Sequence, residues 1–269
     1  MVVMARLSAA FLAVALAAGV AGFYYRQSRL PAVASEPSDV IGGNWLEHLH
    51  SQNPKLAREA IRRLQDLGAS ALPEIRTALK DPSSDPATKK AALKAAGLLG
   101  HAASTAVPDV AAHLSNPELT EEAAVALSFM GPGAYAPLRE AASSSDPVVR
   151  REALRSLGKL HGRARLQSAS VIPLLLHGLA DSDRGVRAVS ATYLGIIHEN
   201  GASVVPALIE TLQDEEPEVR AAAATALGSF EGYEETAVPA LRKAAADSDE
   251  NVAREAGLSI VKLQSSSRR

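Results

Sequence analysis

This sequence predicts an all-α chain built as an α-solenoid of about seven stacked helix pairs, preceded by an amino-terminal hydrophobic helix. Three observations carry that expectation. A proline followed by a short apolar run recurs at Pro73, Pro108, Pro137, Pro173, Pro206 and Pro239. A second pattern of apolar and small residues at helical spacing recurs downstream of each. Roughly a fifth of the chain is alanine and only 4% of it is aromatic, which suits closely packed helices rather than a sheet core.

The amino-terminal segment comes first. From Leu7 to Tyr25 the chain carries no ionisable group except its two terminal tyrosines. At helical rise that stretch spans about 28 Å, close to the hydrocarbon thickness of a bilayer. Tyr24, Tyr25, Arg26 and Arg29 end it with the aromatic and cationic groups that a membrane interface favours. Residues 1–30 therefore read as an uncleaved single-span anchor. A cleaved signal peptide is the rival, with small-x-small sites at Ala15-Leu16-Ala17 and Ala32-Val33-Ala34. A buried helix of the domain is the third reading, opposed by Gly19 and Gly22. Arg6 and the amino terminus compete with Arg26 and Arg29, so charge sets orientation only weakly. The bulk of the chain reads as extracytoplasmic, either anchored or secreted after cleavage. Residues 31–43, with two prolines and two glycines, form a linker.

The repeats fill residues 44–264, leaving 265–269 as a disordered tail. Each proline of the first series is expected to open a short helix, A, where its missing N–H is not needed. The second helix, B, takes Leu56, Thr88, Leu119, Val149, Val186, Val219 and Val252 as position zero. Four residues on, every unit has a small residue: Ala60, Ala92, Ala123, Ala153, Ser190, Ala223 and Ala256. Offsets eight and eleven are apolar throughout, from Leu64 and Leu67 to Ile260 and Leu263. Offsets 0, 4, 8 and 11 share one helix face. Glycine at offset nine (Gly97, Gly158, Gly195 and Gly228) costs about 1 kcal/mol in helix propensity and needs a packing reason, here the approach of the paired helix. Gly68, Gly100 and Gly131 suit helix C-caps. RARLQSAS, residues 163–170, reads as a loop insertion between units four and five.

Two segments, LIETLQDEEPEVRAAAATALG and LLLHGLADSDRGVRAVSATYLG, resemble HEAT repeats of the short, phycobilisome-lyase-type variety. The resemblance covers about residues 44–264 and is weakest in the first unit, where Asn44 to Ser51 stands in for helix A. It implies antiparallel helix pairs stacked into a curved rod with the B helices lining the concave side. It also implies a structural Asp/Arg ladder through Asp181 and Arg187, and Asp214 and Arg220, each six residues apart. Thr120 and Ala253 stand where units three and seven would carry the arginine.

The polar faces of the B helices are unevenly charged. Arg58 and Arg62 in unit one, Lys90 and Lys94 in unit two, and Arg150, Arg151, Arg155 and Lys159 in unit four make basic patches. Glu118, Glu121 and Glu122 interrupt them. A solvated helix face is the plain interpretation. A docking surface for an acidic protein or peptide segment is the sharper one, through Arg58, Arg62, Lys90, Lys94, Arg151, Arg155 and Lys159. Nucleic acid is not expected. Arg6, Arg26 and Arg29 are three of the 28 basic residues, which leaves 25 against 30 acidic residues beyond Leu30, with no aromatic interleaving.

Catalysis finds little to stand on. The chain has no cysteine, so disulfides, thiolate metal sites and Cys nucleophiles are excluded. Deoxyhypusine hydroxylase, which resembles this architecture, holds two irons with several His-Glu pairs, and this sequence has one, His198-Glu199. His101, His161 and His198 fall at B-helix ends, where a cation meets the negative end of the dipole. Neither a Gly-rich phosphate loop nor a Gly-x-Ser-x-Gly elbow occurs. The expectation is a non-enzymatic, membrane-tethered scaffold without cofactor or metal, binding a protein or peptide along its concave face. A lyase- or hydroxylase-like repeat enzyme is the alternative. Asn251, Arg254, Glu255 and Lys262 on the last helix suggest a solubilising cap and hence a monomer.

Overall fold

A computed structural model describes residues 45–164 and 166–266. The expected anchor, the linker and residues 267–269 lie outside them. Among the described residues all regular structure is helical, and no helix is long and apolar enough to cross a membrane.

The first unit is irregular. A single 3-10 turn, Glu47–His50, precedes α1 (Pro54–Leu67). Trp45, Leu46 and Leu49 are buried, and the Trp45 indole N–H donates to Glu74 at 2.8 Å. The pairs that follow are α2 (Leu72–Lys80) with α3 (Pro86–Leu99), and α4 (Val107–Ala111) with α5 (Thr120–Leu127). Next come α6 (Tyr135–Ala141) with α7 (Pro147–Ala164), and α8 (Ser168–Gly178) with α9 (Arg184–Ile197). The last are α10 (Gly201–Thr211) with α11 (Pro217–Leu227), and α12 (Glu234–Ala244) with α13 (Glu250–Ser266).

Local chemistry explains the boundaries. Pro54, Pro86, Pro147 and Pro217 each occupy the first position of a B helix. Asn53, Asp85 and Asp183 cap their helices, each carboxylate or amide oxygen accepting from a backbone N–H in the first turn at 3.0 Å. Gly68 and Gly100 close α1 and α3 with φ of +52° and +58°, a left-handed geometry that glycine adopts without strain.

The A-helix prolines divide into two sets. Pro73, Pro108 and Pro137 fall in the first turn of α2, α4 and α6, as expected. Pro173, Pro206 and Pro239 instead sit inside α8, α10 and α12, each of which starts five residues earlier. A proline there removes the N–H that would bond the carbonyl four residues back. That carbonyl belongs to Ala169, Ala202 or Glu235, all exposed, so water can take the place of the missing donor. The expected loop insertion is also absorbed. Arg163 and Ala164 finish the 18-residue α7, and Ser168 already begins α8. At the other end α13 runs on to Ser266.

All seven small residues at offset four are fully buried. The offset-nine glycines have a different neighbour from the one the sequence suggests. A Cβ at Gly97 would meet Ala126, at Gly158 Tyr193, at Gly195 Ala226, and at Gly228 Ser259. Each partner lies at offset seven of the next B helix, so these glycines serve stacking between units rather than pairing within one. Apart from the first junction, where α3 packs chiefly on the Glu47–His50 turn, B helices pack on one another throughout. A helices touch their successors much less, so the stack is held together chiefly along its B side.

The outer face of the last helix differs from the expected cap. Leu258 is 56% exposed and Val261 65%, interleaved with the polar residues at offsets six and nine of unit seven.

Candidate functional site

Two charged systems organise the B side, one holding the stack and one facing out from it.

The first is a ladder of three rungs. The Arg150 guanidinium donates to both carboxylate oxygens of Asp181, at 2.8 and 2.6 Å. Arg187 does the same to Asp214 at 2.7 and 2.9 Å, and Arg220 to Asp247 at 2.8 Å twice. The third nitrogen of each arginine bonds the carbonyls five and six residues back in its own A–B turn, such as Asp181 and Ser182 for Arg187. Each carboxylate also accepts the backbone N–H two residues on: Asp183, Glu216 or Asp249. One arginine thus ties its own turn to the next. Asp181 and Arg187 meet only through the Asp181 carbonyl, because the Asp181 carboxylate is taken by Arg150.

Hydrogen bonds hold the acidic partners ionised. The Arg150 guanidinium keeps Asp181 below the ordinary carboxylate value against the effect of burial. The same pairing lowers Asp247 beside Arg220. For Asp214 burial pushes upward most strongly, but the Arg187 and Glu216 hydrogen bonds outweigh it.

The ladder has closed ends. Thr120 stands where unit three would carry an arginine, and Ser144 where unit four would carry the aspartate to receive it. The Thr120 hydroxyl keeps the local half of the role, bonding the Leu114 and Asn116 carbonyls at 2.9 and 2.8 Å. Ala253 stands at the arginine position of unit seven. Sequence reading missed Arg150 and Asp247 as rungs. The signal was present, since Arg150 directly follows position zero, as Arg187 and Arg220 do. In the amino-terminal half other ties serve. Asp109 on α4 receives Arg76 at 2.6 Å and Lys80 at 3.1 Å.

The second system contains the residues proposed to meet a partner, and the structure separates them. Arg58 and Arg62 are exposed on α1, with Arg62 only loosely joined to Glu59 at 3.5 Å. Lys90 pairs with Glu122 on α5 at 2.9 Å. Lys94 is turned to the Leu49 carbonyl at 2.7 Å, and burial lowers its pKa. It serves the irregular first junction rather than the open face.

The third group is on α7. Glu152 is only 3% exposed and accepts from Arg151 at 3.1 Å and from Arg155 at 3.0 and 3.1 Å. One turn on from Arg155 stands Lys159, half-buried, with no hydrogen bond or ion pair to any described residue. Burial, with Arg155 and Arg163 beside it, holds its ammonium below the ordinary lysine value. Arg163 is fixed over the Phe129 ring, 3.9 Å from its centroid, and donates to the Ser128 hydroxyl at 3.1 Å. Tyr193 of α9, 7% exposed, closes this group with its ring against Gly158. Burial pushes its phenol up to about 12 despite Arg155 and Arg163.

Other candidates resolve into local roles. His198 ends α9 with φ of +40° and its Nδ1 lies 2.9 Å from the Ile196 carbonyl. His161 and Glu199 both bond the Ser168 hydroxyl, joining the ends of α7 and α9 to the start of α8. Among the described residues no three His, Cys, Asp or Glu side chains gather as a metal site.

Stacked helix pairs, small residues at each crossing and an Arg–Asp ladder define a helical-repeat solenoid protein. The chain belongs to the HEAT-repeat family, whose pattern matches residues 44–128, 107–195 and 172–262. No curated protein matches it in sequence. Among solved structures, Kap121p is similar at 14% identity and TM-score 0.61, over 78% of this chain and 28% of that one. Kap121p bound to Nup53p gives 16%, 0.58, 78% and 28%. YibA from Escherichia coli gives 16%, 0.51, 98% and 99%. This chain thus spans 28% of the Kap121p chain, and identities this low show likeness of fold alone.

Proposed function

We propose that this protein is a non-enzymatic scaffold, tethered to a membrane by residues 1–30, that holds an acidic protein or peptide segment along its B-helix face. The observation that supports it best is the α7 group, where Arg151, Arg155 and Lys159 share one buried carboxylate, Glu152, with Arg163 one turn further along the helix. That excess of positive charge sits on the B-helix side, along which a ligand can touch several units at once. Protein binding by a similar fold is illustrated by Kap121p bound to Nup53p. The small residue at offset four of every unit supports the phycobilisome-lyase-type reading of the repeats. The Leu7–Tyr25 run supports the anchor, with the repeat domain on the extracytoplasmic side.

The test is affinity capture of the full chain from membranes after cross-linking, with wild type compared to R155E/K159E. Partner recovery should fall in the variant. A repeatable partner recovered equally from both discards the α7 face as the docking surface. Carbonate extraction of the membranes tests the anchor, which predicts that the chain stays in the pellet. Stoichiometric iron or zinc in the purified chain would instead support the enzyme alternative.

A further inference from the structure

We infer that the partner segment is extended and carries an acidic pair about three residues away from an apolar side chain, the acids meeting Lys159 and its flanking arginines and the apolar group meeting Ile196. This rests on the scaffold reading above and specifies its ligand.

The placement follows from the repeat register. Lys159 and Ile196 both lie at offset ten, in units four and five. Offset-ten residues of adjacent units stand side by side, as Lys262 of α13 shows with a 3.3 Å contact to Ser229 in the turn after α11. Lys159 directly follows Gly158, which meets the Tyr193 ring, and Ile196 is three residues beyond Tyr193 on the same side of α9. The cation and the apolar side chain are therefore neighbours across one B–B junction.

Their chemistry is complementary to such a segment and to little else on this surface. Lys159 is a half-buried ammonium with no hydrogen bond or ion pair to any described residue, flanked by Arg155 and Arg163 and feeling the Glu152 and Glu121 carboxylates only through space. Arg155 already shares Glu152 with Arg151, so the carboxylate cannot neutralise the row. Ile196 is 56% exposed, against 7% for Tyr193 beside it. Packed helix axes lie about 10 Å apart, which an extended chain crosses in about three residues. The same row is small or neutral in units five and six, with Ala188, Thr192, Ala221 and Thr225, and carries cations again only at Arg254 and Lys262 of unit seven, so the charge beside Ile196 comes from unit four.

The experiment measures fluorescence anisotropy with the full chain in detergent. The probe is a fluorescein-labelled glycine-serine peptide carrying two adjacent glutamates and a leucine three residues on. Two controls replace the glutamates by lysine or the leucine by serine. Wild type should prefer the glutamate–leucine probe. Lys159→Glu should weaken it at least tenfold, and Lys159→Met, which keeps the buried stem, several-fold. Ile196→Ser should weaken the leucine probe several-fold and leave the serine control unchanged. Circular dichroism of each variant checks the fold. No binding of the probe by wild type, or binding by K159M and I196S as tight as by wild type, overturns the inference. Loss of binding only in R58E/R62E also overturns it, but leaves the scaffold reading standing with its surface moved to α1. Lysine-159-dependent binding to vesicles containing phosphatidylserine, without binding to the probe, overturns it in favour of a lipid surface.

Discussion

Gly158 and Tyr193 fit one another across the junction of units four and five. A Cβ on residue 158 would stand 2.2 Å from Cδ1 of the Tyr193 ring. The other three offset-nine glycines, Gly97, Gly195 and Gly228, meet alanine or serine, so Gly158 is the one of the four that meets a ring. Gly158→Ala should destabilise the protein by roughly 1–2 kcal/mol, because the overpacking outweighs the helix-propensity gain. In a Tyr193→Ala background the same change should stabilise by about 0.5–1 kcal/mol. Urea unfolding of the four proteins gives the cycle, and the sign of G158A must reverse.

Gly195 and Gly257 set up a contrast within the same helical context. A Cβ at Gly195 would lie 2.5 Å from the Ala226 Cα, a backbone atom that cannot swing aside, whereas at Gly257 nothing stands within 4 Å. Gly195→Ala should therefore cost more than Gly158→Ala, where a side chain can yield. Gly257→Ala should stabilise α13 by about 0.5–1 kcal/mol. Thermal unfolding of both variants reads the difference directly.

Arg187 joins two units through Asp214 while bonding the carbonyls of its own turn. Arg187→Ala leaves both sets of acceptors without their donor and should lower stability by roughly 2–3 kcal/mol. It should also broaden the urea transition, because units five and six lose their shared tie. Arg187→Lys should recover only part of the loss, since an ammonium cannot make the bidentate contact. Coincident, equally sharp transitions for wild type and R187A would show that the rung does not couple the units.

The same rungs set an acid dependence. Asp181, Asp214 and Asp247 all have folded pKa values depressed below 3.8. A depressed carboxylate contributes stability that is present above its unfolded value and lost as pH falls through the folded value. Stability should hold above about pH 5 and decline below 3.8. The decline should be shallower in R220A/D247A, and urea unfolding between pH 2 and 6 checks it.

Tyr193 sets the opposite limit. Its phenol is raised by burial to about 12, so its contribution is complete below pH 10 and is lost as pH rises through 12. Absorbance at about 295 nm should show one tyrosine ionising late in wild type and not in Y193F. Alkaline unfolding of Y193F should lack the corresponding step.

Much of this architecture is legible in the chain itself. The small residue four positions into each B helix follows from crossing geometry, and every one of the seven is buried. The ladder pairs carry a local signature of six residues from aspartate to arginine. The A-helix prolines misled because proline marks a first turn only when nothing else extends the helix. In α8, α10 and α12 the exposed carbonyl four residues back finds water, and the helix runs through. Lys94 misled for a different reason: its sequence position is that of Arg155, but the short first unit presents the Leu49 carbonyl to it.

The sequence by itself determined the repeat, its period, its buried stripe and the excess of cations on particular B helices, because each is a local pattern repeated along one helix face. Only the tertiary structure decided which unit each residue serves. That the offset-nine glycines face the next B helix, that Asp181 belongs to Arg150, and that Lys94 meets the Leu49 carbonyl all depend on how one repeat is set against its neighbour. That relation lies between residues about 30 positions apart, and no pattern within a single helix encodes it.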